Sequence, residues 1–296
     1  MMNLRQIEFV LAVAEESSFT RAARRCHTVQ SALSHQVARL EDELGAPLFE
    51  RTSRRVRLTL AGEAFVRQAH AALEAARRIP EEVAAVTGQV RGQITIGAIS
   101  ALGNIDIVAL IAQFHARYPQ VDVRLSQSGS EELLERLRQG RLDVALVGLW
   151  QGEKVEGVEH LRIAQEKLVA LLPREHSLAS RKRLTLERLA TLPLVDYPKD
   201  SSARRQTDKA FAAAGVAHQI RFEVNHLNLI EQFVARGLAA SLVPESVVRN
   251  LPGVVPVALQ DAPARVLYVA WPKFPSPAAS AFLALLREQL DAIASR

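Results

Sequence analysis

The chain has 296 residues, with 37 Lys and Arg against 32 Asp and Glu, a formal charge of +5, 48% hydrophobic and 23% charged residues. At roughly 150 residues per domain, this length predicts about two domains with cores of their own, and the composition excludes a largely disordered or low-complexity protein. The lone cysteine, Cys26, excludes an intramolecular disulfide, a paired redox switch and a cysteine-rich zinc cluster, so no metal site is expected.

The modest positive excess is only a weak bias toward a polyanionic partner. The apolar run Phe9 to Ala14 is too short to span a bilayer, follows no basic leader and ends in no cleavage-like pattern. A cytoplasmic chain with no membrane partner is the expectation.

From Leu4 to Glu16, apolar Leu4, Ile7, Val10, Leu11 and Ala14 recur at helical steps and predict a first helix with one buried face. Ser18 is placed to cap a second, from about Thr20 to Cys26, and a third begins near Val29. Its predicted stripe is Val29, Leu33, Val37, Leu40 and Leu44, with Gly45 and Pro47 as stop signals. From Arg51 to Thr59 the period changes to two: Val56 and Leu58 alternate with Arg55, Arg57 and Thr59, with Thr52-Ser53-Arg54 as the turn. Three helices followed by a small hairpin predict a winged helix-turn-helix over residues 1–59.

Residues 60–90 read as a long linker helix. Phe65, Ala69, Ala72 or Leu73, Ala76, Ile79, Val83 and Val86 hold a near-heptad spacing that suits pairing with a second copy. Pro80 predicts a kink or restart. Cys26 sits where a small apolar residue belongs, and is read as buried structure.

Beyond Gly88 to Gly92, strand and helix signals alternate to the end of the chain, predicting an α/β domain over 91–296 with a parallel sheet. Strands are expected at Ile94 to Ile99, Val121 to Gln127, Val144 to Leu149, Leu168 to Leu172, Leu194 to Tyr197, Ile220 to Val224, Ala240 to Val243 and Val266 to Trp271. Helices are expected near Ile105 to Tyr118, Glu131 to Gln139, Ala203 to Ala214, Leu227 to Ala235 and Ala278 to Ala294. The alternation divides into two lobes, about 91–163 with 267–296, and about 164–266.

On the third helix, the face opposite the apolar stripe presents Gln30, Ser31, Ser34, His35 and Arg39, all hydrogen-bond donors gathered toward the helix N-terminus. Glu41, Asp42 and Glu43 at the other end repel phosphate, so only the first turns suit a groove. A solvated polar face is the bland reading of an isolated helix. The arginines that follow, Arg51, Arg54, Arg55 and Arg57, favour nucleic acid, with Arg54 at the turn tip.

Residues 1–90 resemble the DNA-binding region of LysR-type transcriptional regulators. The resemblance is carried by Phe19-Thr20-Arg21-Ala22-Ala23, Gln30-Ser31-Ala32-Leu33-Ser34-His35-Gln36-Val37, Leu40-Glu41-Asp42-Glu43-Leu44-Gly45, Leu48-Phe49-Glu50-Arg51 and Leu58-Thr59-Leu60-Ala61-Gly62-Glu63. It implies promoter duplex DNA as partner, with Thr20, Gln30, Ser31, Ser34, His35 and Arg39 at the recognition helix and its approach, and Arg51, Arg54 and Arg55 at the wing. Family members often carry Pro where Ser31 stands and Arg where His35 stands, and His lacks the bidentate grip of Arg on guanine.

The likeness extends in layout to residues 91–296. It implies an effector-binding domain of two α/β lobes joined by crossover strands, like type 2 periplasmic-binding proteins, with a small-molecule effector between the lobes. Candidate effector contacts are Ser100, Ala101, Ser128, Ser130, Ser201, Ser202, His226 and Asn228, then Arg204 and Trp150; hydroxyls and amides at helix starts suit an anion, though Ser and Asn are also ordinary caps. Phe65, Ala69, Ala72, Ala76, Ile79 and Val83 are the candidate dimer contacts, for a homodimer or homotetramer, and RNA polymerase is a further partner such a regulator admits. No cofactor is expected beyond the unidentified effector.

The competing class is a solute-binding protein or enzyme built on the lobes. It lacks support, since no glycine-rich phosphate loop, nucleophile elbow, HExxH or CxxC spacing occurs, and the chain is expected not to be an enzyme. Peroxide sensing by paired thiols is likewise excluded, because no second cysteine exists to resolve an oxidised Cys26.

Overall fold

The structure, a computed structural model, describes residues 1–51, 56–199, 201–250 and 253–294. It divides into two compact units, Met1–Gln89 with Gln139–Arg141, and Val90–Arg138 with Leu142–Arg296.

In the first unit, α1 (Leu4–Glu16) starts at a capping box: Asn3 Oδ1 accepts from the Gln6 amide, and the Asn3 amide donates to Gln6 Oε1. Helix α2 (Phe19–Arg25) is capped by Ser18, and α3 (Gln30–Leu44) ends at Gly45, whose φ of 69° is the left-handed conformation that favours glycine. Phe9, Val10, Val13, Ala22, Leu33, Val37, Leu40 and Leu48 form the core. The expected five-residue stripe on α3 is shorter than its pattern, for Val29 is 65% and Leu44 44% exposed. Val29 stands one residue outside the helix with extended backbone, and Leu44 lies one turn beyond Leu40, the last core contact.

Strands β1 (Phe49–Arg51) and β2 (Val56–Leu58) pair antiparallel, with Phe49 opposite Leu58. Glu41 of α3 holds the start of β1, its Oε1 accepting from the Leu48 and Phe49 amides at 2.8 and 3.1 Å. The expected turn, with Arg54 and Arg55, lies outside the described residues, as does the side chain of Arg51.

Helix α4 (Leu60–Val86) is a single 27-residue helix that continues through Pro80, so the restart that the sequence allows does not occur. The proline ring already holds a helical φ and removes one backbone hydrogen bond, which the turns on either side outweigh. A Cβ on Gly62 in its first turn would lie 2.1 Å from the Leu48 carbonyl oxygen, so the hairpin seats on α4 only because this residue has no side chain. The heptad reading of α4 needs one correction: Ala69, with Phe65, Val66 and Leu73, packs on Ile7 and Leu11 of α1. Phe65 and Ala69 therefore serve the chain's own core rather than a second copy, because the stripe turns toward α1 in these first turns. Ile79 and Val83 are 62% and 65% exposed.

The second unit contains, in order, β3 (Gly92–Ala98), α5 (Ile107–Arg117), β4 (Val121–Gln127), α6 (Ser130–Arg138), β5 (Val144–Trp150), β6 (Glu159–Pro173), β7 (Arg183–Leu184), α7 (Leu186–Ala190), β8 (Leu194–Asp196), α8 (Ser202–Ala213), β9 (Ile220–Glu223), α9 (Leu227–Ala235), β10 (Ser241–Pro244), β11 (Val254–Leu259), β12 (Ala264–Trp271) and α10 (Pro277–Ala294). The main sheet has the order β4-β3-β5-β12-β6-β11-β7, with β10 also on β6, and β8 pairs with β9. It is mixed rather than parallel: β3 runs parallel to β4 and β5, while β12 is antiparallel to β5 and β6, and β10 and β11 are antiparallel to β6. Residues 260–263 carry the chain straight on from β11 into β12, so both strands lie along β6 in the direction opposite to it, and β12 also meets β5 head to tail.

Only Leu168 to Leu172 of β6 was legible as strand. Its first half alternates exposed polar residues against partly buried ones and serves the first lobe, while its second half is continuously buried in the second. The first lobe packs Ile94, Ile96, Phe114 and Leu146 against α10, whose Phe282 meets Phe114 edge-on at 5.4 Å. The second buries Leu168, Ala170, Leu172 and Phe211 on one side of β6, and Val169, Leu171, Ile230 and Val234 on the other. Among the described residues no helix is long and apolar enough to cross a membrane.

Candidate functional site

Two surfaces carry chemistry, one in each unit. On the first, α3 begins at Val29, which offers no side-chain cap, so the opening amides of the helix have no side-chain acceptor from that residue. Around this end Thr20, Gln30, Ser31, His35 and Arg39 are exposed and Ser34 is half-buried. Exposed donors beside a positive helix end suit phosphate oxygens and base edges. Neighbouring cations are already engaged: Arg21 pairs with Glu16, Arg25 with Glu15, and Arg5 donates to the Cys26 carbonyl. Cys26 itself is half-buried against this core, and burial pushes its thiol pKa up, which disfavours the reactive thiolate.

In the second unit a cavity of about 650 Å³ opens between the lobes. Its wall includes the N-terminal ends of α6, α8 and α9, where Ser128, Gly129 and Ser130, then Ser201 and Ser202, then His226 and Asn228 stand. Ser100 and Ala101, after β3, complete the first-lobe side. Of the ten residues expected to touch an effector, these eight line the cavity.

Several of the expected hydroxyls are taken up in holding the lobes together. Ser130 donates to the Gly148 carbonyl at 2.9 Å, and its amide donates to Ser202 Oγ at 2.9 Å across the two lobes. Gln206 Nε2 reaches the same Gly148 carbonyl at 2.9 Å, and Arg205 of α8 pairs with Glu131 of α6 at 2.6 Å. A Cβ on Gly129 would lie 2.6 Å from Ser202 Oγ, so this approach of two helix starts requires glycine there. Each neutral bond is worth on the order of 1 kcal/mol net, enough together to favour this lobe arrangement. Ser201 accepts from the Arg204 amide as the α8 cap, and Ser100 Oγ meets Tyr197 Oη at 3.4 Å.

Two expected contacts lie elsewhere. Trp150 packs on the second-lobe core rather than lining the cavity, because it ends β5 beside that lobe. Arg204 points away: its Nε donates to Asp208 at 2.9 Å and its Nη1 to Glu223 at 3.1 Å, tying α8 to β9. Two carboxylates close at hand outcompete any ligand for that guanidinium.

Among the lining residues the sequence reading missed are two charged ones. Arg265 of β12 is 4% exposed, bonds Glu166 Oε2 at 2.6 and 2.8 Å and donates to the Ala101 carbonyl at 2.7 Å. Asp196, at the end of β8, is 2% exposed, and burial raises its carboxyl pKa to about 6. The only local signal was a charged residue inside an apolar strand, Leu194-Val195-Asp196 and Ala264-Arg265-Val266. Among the described residues no group of three or more His, Cys, Asp or Glu is placed to hold a metal ion.

Comparison with known proteins matches each of the two regions to a family model. Residues 4–63 match the family model of the bacterial regulatory helix-turn-helix protein, lysR family, and residues 87–291 that of the LysR substrate binding domain. An uncharacterized HTH-type transcriptional regulator, YybE of Bacillus subtilis, is 31% identical over 95% of this chain and 97% of its own length. A hydrogen peroxide-inducible genes activator of Pectobacterium carotovorum is 30% identical over 82% of this chain and 80% of its own length. Among solved structures, full-length OxyR from Pseudomonas aeruginosa superposes with a TM-score of 0.73 at 31% identity, covering 97% of this chain and 98% of that one. CbnR in complex with its target DNA gives 0.67 at 26% identity, covering 97% and 99%.

Proposed function

The chain belongs to the LysR family of DNA-binding transcriptional regulators with an effector-binding domain, and from that premise we propose which residues perform each part of the work. The recognition helix α3 enters a major groove by its first turns, with Gln30, Ser31, Ser34 and His35 toward bases and Thr20 and Arg39 toward phosphate. Arg51, Arg54 and Arg55 supply the wing contact. Two copies pair along α4 through Ala72, Ala76, Ile79 and Val83, the part of the stripe that α1 leaves uncovered, as a homodimer or a homotetramer. The protein acts as a cytoplasmic binding protein with no catalytic step.

The observation that carries the regulatory reading is the 650 Å³ cavity walled by three helix starts from both lobes. A small molecule there contacts Ser100, Ala101, Ser128, Ser201 and Asn228, and competes with the Ser130 to Ser202 and Gln206 to Gly148 bonds that fix the lobes. Regulation follows if it prefers one lobe arrangement, since a ligand shifts an equilibrium only by its differential affinity. The peroxide chemistry in the name of the Pectobacterium relative does not carry over by thiol oxidation, because the only cysteine of this chain is Cys26, in the DNA-binding unit.

The test is fluorescence anisotropy of purified protein on fragments from upstream of its own coding region, with and without a panel of small carboxylates and amino acids. Preference for one fragment, altered by a panel member in the wild type but not in Ser128→Trp, which fills the cavity, is the expected result. Equal affinity for every fragment at low ionic strength overturns the reading.

A further inference from the structure

One group on the cavity wall has no structural partner to account for it. Asp196 Oδ1 accepts from the Tyr197 amide at 2.7 Å, while Oδ2 is buried and, among the described residues, has no hydrogen-bond partner. A carboxylate oxygen buried without a donor is costly, and native structures seldom leave one so unless a ligand or water completes it. The Arg204 guanidinium, whose charge acts on Asp196, does not do so, since it is held by Asp208 and Glu223.

The charges around the cavity indicate what would complete it. Its formally charged lining residues are Asp196 and Arg265, and Glu166 offsets Arg265 at 2.6 Å. The uncompensated charge on the wall is therefore the negative one of Asp196, while the starts of α6, α8 and α9 present amides and positive dipole ends. An occupant that satisfies both carries a cation and an anion at opposite ends.

We propose that the effector is a small zwitterion of the amino-acid class, whose protonated amine donates to Asp196 Oδ2 and whose anionic group faces the helix starts. The proposal rests on the cavity being the effector site and adds the ligand's chemical class to it. A charge-assisted bond from an ammonium is stronger than one from a hydroxyl or a water, and it replaces the missing partner of a desolvated acceptor. Burial raises the Asp196 carboxyl to about 6, Asp208 adds to the rise, and Thr207, the Tyr197 amide and Arg204 oppose it. An amine that needs the ionised form thus loses affinity as pH falls through about 6. The other titratable or charged groups on the surrounding elements include Tyr197 just after β8, Glu223 on β9, His226 at the start of α9, Arg265 on β12, and Arg205 and Lys209 on α8, which pair with Glu131 and Glu153.

The experiment is calorimetric titration of the full-length protein with the proteinogenic amino acids, each beside its N-acetyl and deaminated forms. At least one free amino acid binds, and its N-acetyl and deaminated forms bind roughly tenfold or more weakly, as loss of a charged hydrogen bond implies. Asp196→Asn lowers affinity for the free amino acid by the same factor but leaves the deaminated form unaffected, and Ser128→Trp abolishes binding of all. In the wild type the affinity drops below about pH 6 with a midpoint retained in His226→Gln, a readout that does not depend on how Asp196→Asn folds. Equal binding of amine and deaminated forms, both abolished by Ser128→Trp, overturns the zwitterion and leaves the cavity as the effector site. Binding that survives Ser128→Trp overturns both. If no amine binds the wild type the zwitterion class is wrong, and the cavity reading is then judged by whether Ser128→Trp removes a response to carboxylates that lack an amine.

Discussion

The two surfaces differ in how far apart their residues lie in the chain and in what else those residues do. Apart from the wing arginines, the residues proposed to face DNA fall between Thr20 on α2 and Arg39 on α3 and are mostly exposed, while the core beneath is built from Leu33, Val37 and Leu40. The cavity set runs from Ile99 to Arg265, and Ser130, Ser202, Gln206 and Arg265 line the cavity and hold the fold with the same side chains. On α3, then, function and stability separate onto opposite faces; in the cavity they are coupled.

The sharpest attempt to break that contrast is Arg265→Ala. It leaves the Glu166 carboxylate, itself only 10% exposed, without its partner, and is expected to lower unfolding free energy by about 3–5 kcal/mol in urea titration. A loss below about 1 kcal/mol would mean that the pair is not desolvated.

Asp196→Asn should act in the opposite direction on the ligand-free protein. Because the folded carboxyl titrates near 6 rather than at the ordinary 3.8, its charge destabilises the fold. The penalty is absent below about pH 4, grows between 4 and 6 and is complete above 6, so the variant gains on the order of 3 kcal/mol at pH 7.5 and nothing at pH 3.5. Melting curves at the two pH values measure the difference, and a gain of equal size at both would assign it to packing.

On the α3 face the expected effects are on binding alone. Gln30→Ala costs on the order of 1–3 kcal/mol at the preferred fragment, relaxes preference at one base position and changes folding stability by less than about 0.5 kcal/mol. Anisotropy with single-base variants and a melting curve report the two quantities separately. Smallest is Arg39→Ala, which lowers the salt slope of DNA binding by about one and affects all sequences alike. An unchanged slope would remove Arg39 from the phosphate contacts.

The same contrast explains what could be read from the chain before folding. Gln30, Ser31 and His35 declare themselves because a helical period puts them opposite Leu33 and Val37 within one short segment. Ser128, Ser201 and Asn228 were legible more weakly, as polar residues where strand signals give way to helix. Arg204 looked alike and was misassigned, since nothing local shows that Asp208 and Glu223 close on it. Asp196 and Arg265 gave almost no signal, because a charge inside a strand acquires meaning only from what other strands bring beside it.

By itself, the sequence determined the order of helices and strands, the change of period at the hairpin and at Gly92, and the face of α3 turned to solvent. Each depends on residues within a few turns of one another, where backbone geometry fixes which side chains share a face. Tertiary structure alone decided that β12 runs antiparallel between β5 and β6, that Phe65 and Ala69 turn inward to α1, and that Glu166 neutralises Arg265 while Asp196 Oδ2 is left without a donor. Those outcomes join residues up to 125 positions apart, as Ala145 and Ala270 are, and pairing and burial at such separations depend on distance through space, which no local pattern encodes.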